Sequence, residues 1–187
     1  MYGIADGWIQ EARRVPSPHF GPRPKGVQPD LLVIHNISLP PVEYGTSCVE
    51  DLFTNFLNWD AHPYFTEIRG LEVSSHFLIR RDGDLVQFVS CDERAWHAGE
   101  SCFAGRSNCN DYSIGVELEG TDDEAYTDSQ YEVLQILTTT LLTHYGDINP
   151  QRIAGHSDIA PARKTDPGPA FDWSRFRQGI ALNGVDK

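Results

Sequence analysis

Among the seven histidines, His19, His35, His62, His76, His97, His144 and His156, two occupy positions suited to chemistry. His35 closes the apolar run LLVIHNI and His156 closes RIAGH, so a short buried strand would carry each imidazole to the rim of a cleft on a rigid support. Asp166 lies ten residues beyond His156, in KTDPG, where the following Pro and Gly make a turn that aims the carboxylate. Two neutral imidazoles and one carboxylate form a three-ligand set for zinc. Such a set leaves the fourth tetrahedral position open, the arrangement of catalytic rather than structural zinc. The spacing contains no local HExxH pair, so only the fold can bring the three together.

The remaining candidates each carry a plainer reading beside the functional one. His76, flanked by Phe77, Leu78 and Ile79, reads as a hydrogen-bonded core histidine. His97 stands in RAWHAG beside Trp96, as a substrate wall or as a packed corner. His19 and His62 sit in loops next to aromatic or proline residues, and His144 falls near a helix C-terminus, where the dipole favours an imidazole. Asn36 follows a candidate ligand and could bind peptide groups or form a turn. Arg106 could pair with a peptide carboxylate through its guanidinium or stand in solvent. Tyr64 and Trp96 could line a groove or pack. Glu117 and Lys164 alone would read as a solvated strand carboxylate and a surface charge.

These residues need a scaffold, and the hydrophobic patterning outlines one. The run at 31–37 predicts a strand buried on both faces. VSSHFLIRRDGDLVQFV predicts a hairpin with arms 73–80 and 85–89 about Asp82-Gly83, a dipeptide suited to tight turns. In the strand at 113–118, Ile114, Val116 and Leu118 alternate with Gly115 and Glu117, which turns Glu117 away from the aliphatic face. A helix begins at Thr127, where Thr127 and Gln130 make a capping box and Tyr126 and Tyr131 a hydrophobic staple. Its stripe of Leu134, Leu137, Leu141 and Tyr145 asks for a sheet to cover, and Gly146 suits its stop. A short helix is expected over 49–57, an extended segment over 152–156, and a last helix from near Asp172 with Trp173, Phe176 and Ile180 on one face. Residues 1–30, crowded with Pro and Gly after position 16, read as an irregular lead-in. Residues 38–74 make a long connection of the kind that forms a binding wall or lid. The expectation is an α/β fold, one domain over residues 1–187, with a mixed central β-sheet flanked by helices.

Composition narrows the function classes. With 187 residues, 40% hydrophobic and 22% charged, the chain has the make-up of a globular domain with one core. Its net charge of −12 opposes the phosphate neutralisation that nucleic-acid binding requires. The apolar runs are far short of the roughly 20 residues that span a bilayer, so no membrane partner is expected, and no obligate protein partner is evident. The first residues, MYGIADGWIQEARRVPS, contain no continuous apolar core of a secretory signal, which points to the cytoplasm. Cys48, Cys91, Cys102 and Cys109 form no C-x-x-C pair and read as reduced thiols, a Cys102–Cys109 disulfide being the alternative.

Five segments, LLVIHNIS, VSSHFLIRRDG, RAWHAG, SIGVELEG and GHSDIAPARKTDPGPAFDW, together resemble the zinc-dependent N-acetylmuramoyl-L-alanine amidases, a family that includes phage lysozyme-type and peptidoglycan-recognition domains. The likeness is greatest to the cytoplasmic branch that acts on 1,6-anhydromuropeptides in cell-wall recycling. It runs from the first strand to the final helix. The resemblance implies a hydrolase with zinc ligands His35, His156 and Asp166, with Glu117 as proton acceptor and Lys164 as the group that stabilises the transition state. The implied substrate is a small muropeptide, cut at the amide between the lactyl group of anhydromuramic acid and L-alanine. An amidase acting on intact peptidoglycan, of phage or envelope type, and a non-catalytic peptidoglycan-binding module are the alternatives.

Overall fold

In the computed structural model, which describes residues 1–182, six strands form one sheet. They are β1 (Arg13–Arg14), β2 (Leu31–Ile37), β3 (Phe77–Ile79), β4 (Leu85–Gln87), β5 (Ser113–Glu119) and β6 (Ile153–Gly155), in the order β6-β2-β5-β3-β4-β1. Every neighbouring pair is parallel except the β3–β4 hairpin. This is the mixed α/β sheet that the patterning predicts. The helices are α1 (Cys48–Phe53), α2 (Pro63–Glu67), α3 (Asp128–His144), α4 (His156–Ile159) and α5 (Trp173–Leu182).

One face of the sheet packs under α3 and α5. Leu32, Ile34, Phe77, Ile79, Ile114, Val116 and Leu118 meet Leu134, Leu137, Leu141, Phe176 and Ile180 in a single cluster, and each fully buried side chain of this size contributes about 1.5–3 kcal/mol. The cap of α3 forms as its sequence dictates: Gln130 N–H donates to Thr127 Oγ1 at 3.1 Å, and Thr127 N–H donates to Gln130 Oε1 at 3.0 Å. The opposite face carries two separate apolar clusters. Leu78, Val86 and Phe88 pack with Leu52, Phe53 and Phe65 of α1 and α2. Leu31, Val33 and Ala154 pack with Ala98, Tyr112 and Ile159.

Three local expectations change. Residues 1–30 are not irregular throughout: Ile9 is fully buried, Phe20–Gly21 pairs with Arg94–Ala95, and Arg13–Arg14 adds an edge strand to β4. The edge of β4 supplies the reason. Its unpaired groups take Val15 and Ser17 N–H into the Gln87 and Phe88 carbonyls, both at 2.9 Å, and an edge is the one place in a sheet that tolerates Pro nearby. The helix expected over 49–57 stops at Phe53, because Asn55 turns left-handed at φ +67°. A second turn of helix, α2, interrupts the long connection. Pro63 stands in its first turn, and His62 Nδ1 accepts Tyr64 N–H at 3.2 Å as its cap.

Candidate functional site

The parallel strands β6, β2 and β5 end side by side, and polar groups gather at their carboxyl ends. His35 of β2 stands directly opposite Glu117 of β5, on the same face, since the register pairs those two residues. Gly155 pairs with Ile34, so His156, the next residue, enters α4 level with His35. Asp166 arrives from the far side on the KTDPG turn. That turn is anchored where Ser157 N–H donates to the Asp166 carbonyl at 2.9 Å. Gly168 makes the docking possible: its φ is +78°, and a Cβ there would lie 2.3 Å from Asp122 Cα.

Three atoms converge on one point. His35 Nδ1 and His156 Nδ1 are 2.9 Å apart, and each is 3.1 Å from Asp166 Oδ2. Ligand atoms at about 2.0–2.1 Å from a tetrahedral ion lie about 3.3 Å from one another. The triangle therefore matches a small divalent ion with little adjustment. The donor chemistry fits as well, because His156 Nε2–H donates to the Ala98 carbonyl at 3.1 Å, which leaves its Nδ1 a bare lone pair. Among the described residues no other group of three or more His, Cys, Asp or Glu side chains converges in this way.

Burial and the neighbouring groups together set the protonation states of these residues. It pushes His35 down to about 4, against the opposing pull of Asp166. Burial alone would raise the Asp166 carboxyl, but the adjoining His156 and His35 imidazoles hold it well below the usual carboxylate range. Glu117 goes the other way. Desolvation, and then the charge of Asp166, raise it well above the ordinary value, with Lys164 pulling back. Its Oε2 is buried without a hydrogen-bond partner, an exception that points to an absent water, ion or substrate group.

A cleft of about 370 Å³ opens over these groups. His35, Glu117, His156, Lys164 and Asp166 all line it, as do Asn36, Tyr64 and Trp96. Asn36 Nδ2 donates to Asp122 Oδ1 at 2.8 Å, leaving its carbonyl oxygen to accept from a ligand. Arg106 does not line the cleft. Its guanidinium pairs with Asp30 at 2.7 Å and lies 3.7 Å from the Tyr112 ring centroid, an ion pair and stacking contact that the sequence did not reveal. The far wall is built by the connection between β2 and β3, through Leu39, Pro41, Leu52, Ile68 and Leu71.

Residues 25–169 match the family model described as N-acetylmuramoyl-L-alanine amidase. The chain belongs to the N-acetylmuramoyl-L-alanine amidase family. It is 59% identical over 177 residues to the 1,6-anhydro-N-acetylmuramyl-L-alanine amidase AmpD of Salmonella typhimurium strain SL1344, a match covering 95% of this chain and 94% of that one. A crystal structure of a selenomethionine AmpD derivative superposes with a TM-score of 0.93 at 56% identity, over 95% of this chain and 99% of the other. More distant is the N-acetylmuramyl-L-alanine amidase AmiD from E. coli, solved in complex with the substrate anhydro-N-acetylmuramic acid-L-Ala-D-gamma-Glu-L-Lys. It has a TM-score of 0.60 at 27% identity, covering 95% of this chain and 65% of that one.

Two neighbours of this amidase site escape sequence reasoning. His97, read as a wall or a corner, places Nδ1 2.9 Å from His35 Nε2, and Ser113 Oγ is 3.1 Å from His97 Nε2. Spacing holds no signal for either. The alternation along β5 does put Ser113 and Glu117 on one face, the single clue available. His76 is the core histidine expected: Gly115 N–H donates to its Nδ1 at 3.0 Å, and its Nε2 donates to the Glu93 carbonyl at 3.1 Å.

Proposed function

We infer that this amidase hydrolyses the amide between the lactyl group of 1,6-anhydro-N-acetylmuramic acid and L-alanine, using zinc held by His35, His156 and Asp166. One observation carries the reading: two histidine nitrogens and a carboxylate oxygen meet within 3.1 Å in a cleft that also presents Glu117 and Lys164. Bound zinc supplies Lewis acidity, polarising the carbonyl by an amount equivalent to several kcal/mol of charge stabilisation. Glu117 takes the proton of the attacking water and returns it to the leaving nitrogen, which amide cleavage needs because an amide anion leaves poorly. Burial raises its proton affinity, the direction that favours holding the proton between the two transfers. Lys164 offers positive charge to the oxygen that becomes negative as the carbonyl is attacked.

Asn36, Tyr64 and Trp96 are read as the substrate wall, with the Asn36 carbonyl accepting a peptide N–H. Residues 38–74 act as a cover over the peptide, and slowed amide exchange across them on adding substrate checks this. The small muropeptide as substrate is supported by the names of the relatives and by the ligand of the AmiD complex. A cytoplasmic setting is supported by four unpaired cysteines, Cys91 and Cys109 of them buried. No described helix is long and apolar enough to cross a membrane.

Soluble anhydroMurNAc-peptide and intact sacculi, digested side by side and read by mass spectrometry, test the reaction. A peptide with a free L-Ala amino terminus, released from the soluble substrate, is expected. Faster release from sacculi would move the activity to intact peptidoglycan, and no release from either would leave a binding module. Chelation should stop turnover and added zinc restore it.

A further inference from the structure

Three hydrogen bonds lead from the Cys109 carbonyl to the metal centre, and their directions can be assigned. The Cys109 carbonyl only accepts, so Ser113 Oγ, 2.6 Å away, donates its single proton there. Ser113 Oγ then has only lone pairs to offer His97 Nε2 at 3.1 Å, so that nitrogen carries the ring proton. A neutral imidazole has one N–H, which makes His97 Nδ1 an acceptor. It receives His35 Nε2–H at 2.9 Å. The relay ends with His35 Nδ1 bare and facing His156 Nδ1 and Asp166 Oδ2.

The same short segment sets the other ligand. Ala98, next to His97, accepts His156 Nε2–H through its carbonyl. Both residues are held by one side chain, because Asn110 Oδ1 accepts His97 N–H at 3.0 Å and Ala98 N–H at 2.8 Å. The His97 ring rests against the backbone of β5 at Gly115, where a Cβ would come within 2.6 Å of the ring. Only glycine leaves that space.

We propose that Ser113 and His97 are positioning residues that hold His35 in the Nε2–H tautomer, so that both histidine ligands present Nδ1 lone pairs before any metal arrives. This rests on the metal reading given above. A histidine free to place its proton on either nitrogen would spend part of its time with an N–H in the ligand triangle, and metal affinity would fall by that fraction in addition to the loss from a ring no longer held in orientation. Partners of this kind in other metal sites are worth about 10–100-fold in affinity or activity.

The test combines imidazole ¹⁵N NMR of the metal-free protein with zinc affinity measured against a competing chelator. In the wild type, His35 should show a protonated Nε2 and a bare Nδ1. Ser113→Ala and His97→Leu should bring mixed tautomers at His35 and about 10–100-fold weaker zinc binding. His97→Gln, whose carbonyl oxygen can accept His35 Nε2–H, should recover much of the affinity. KM at saturating zinc should stay near wild type in Ser113→Ala, which a general loss of structure would not allow. Protonated Nδ1 at His35 in the wild type overturns the proposal, and so does unchanged zinc affinity in both variants. If the wild type binds no zinc, the metal reading fails, while the NMR arm still decides the relay. That arm needs only the wild type, so a variant that fails to fold leaves the proposal testable.

Discussion

The two faces of β5 are equally buried and chemically opposite. Ile114, Val116 and Leu118 press into the core under α3, and Ser113, Glu117 and Glu119 on the other face are also almost fully covered. The aliphatic face needs no partners, so packing alone stabilises it. The polar face must satisfy each group it buries. Ser113 donates to Cys109, and Glu119 accepts Gly45 N–H at 2.7 Å and Arg81 N–H at 3.1 Å. Glu117 is the exception on this face, with a buried oxygen that no protein group bonds. Along this strand, the difference points to the one buried side chain whose hydrogen bonding within the protein is left incomplete.

Breaking the site that the polar face looks into, at a ligand, should have the largest effect. Asp166→Ala removes one of three metal contacts, so zinc content measured by metal analysis should fall from near one per chain to near zero, with amidase turnover at background. Retained zinc with full turnover would remove Asp166 from the ligand set. Glu117→Gln keeps the size of the side chain and should keep zinc, while kcat falls by about 10²–10⁴-fold. Lys164→Ala should cost about 10²–10³-fold in kcat, again with zinc retained. Single-turnover rates beside metal content separate the ligand variant from the other two.

The aliphatic face should respond in the opposite currency. Leu137→Ala, in the middle of the buried stripe of α3, should lower stability to urea by about 2–5 kcal/mol, with kcat of the folded fraction unchanged. A loss of zinc affinity there would couple two faces that the packing keeps apart. At neutral pH the smallest difference concerns His76, whose effect grows only as the solution is acidified. Burial pushes its imidazole down to about 3, below its ordinary value in the unfolded chain. The unfolded state therefore takes up the proton first as pH falls, and this share of stability is complete above about pH 6.5 and lost progressively toward pH 3. His76→Asn keeps an acceptor for Gly115 N–H and should remove a slope of at most about 1.4 kcal/mol per pH unit. Identical pH slopes in urea melts of variant and wild type would show that His76 does not titrate in this window.

Much of the scaffold was legible because its signals are local. The capping box at Thr127 and the stripe through Leu141 specify α3 within a few residues of chain, and Asp82-Gly83 specifies the hairpin, Gly83 taking φ +92°. The hairpin arms are shorter than their hydrophobic runs, since Ser74 N–H bonds to the Trp96 carbonyl instead of the ladder. The edge strand at Arg13–Arg14 and the helix α2 were hidden for a related reason. One exists only because β4 has an open edge, and the other is a single turn held by a cap.

At the site, residue type and immediate context were enough to nominate His35, His156 and Asp166, because ligand chemistry restricts which side chains serve, whereas Glu117 and Lys164 were singled out only by the family resemblance. Sequence also decided that Glu117 leaves the aliphatic face, as the strand period of two requires. Only the tertiary structure decided that Glu117 lies opposite His35, since register is a property of two strands and not of either alone. It also withdrew Arg106 to Asp30 and brought His97 against His35 across 62 residues of chain. Which nitrogen of a ligand histidine is bare depends on what touches the other nitrogen, and that contact comes from a distant segment that no local pattern encodes.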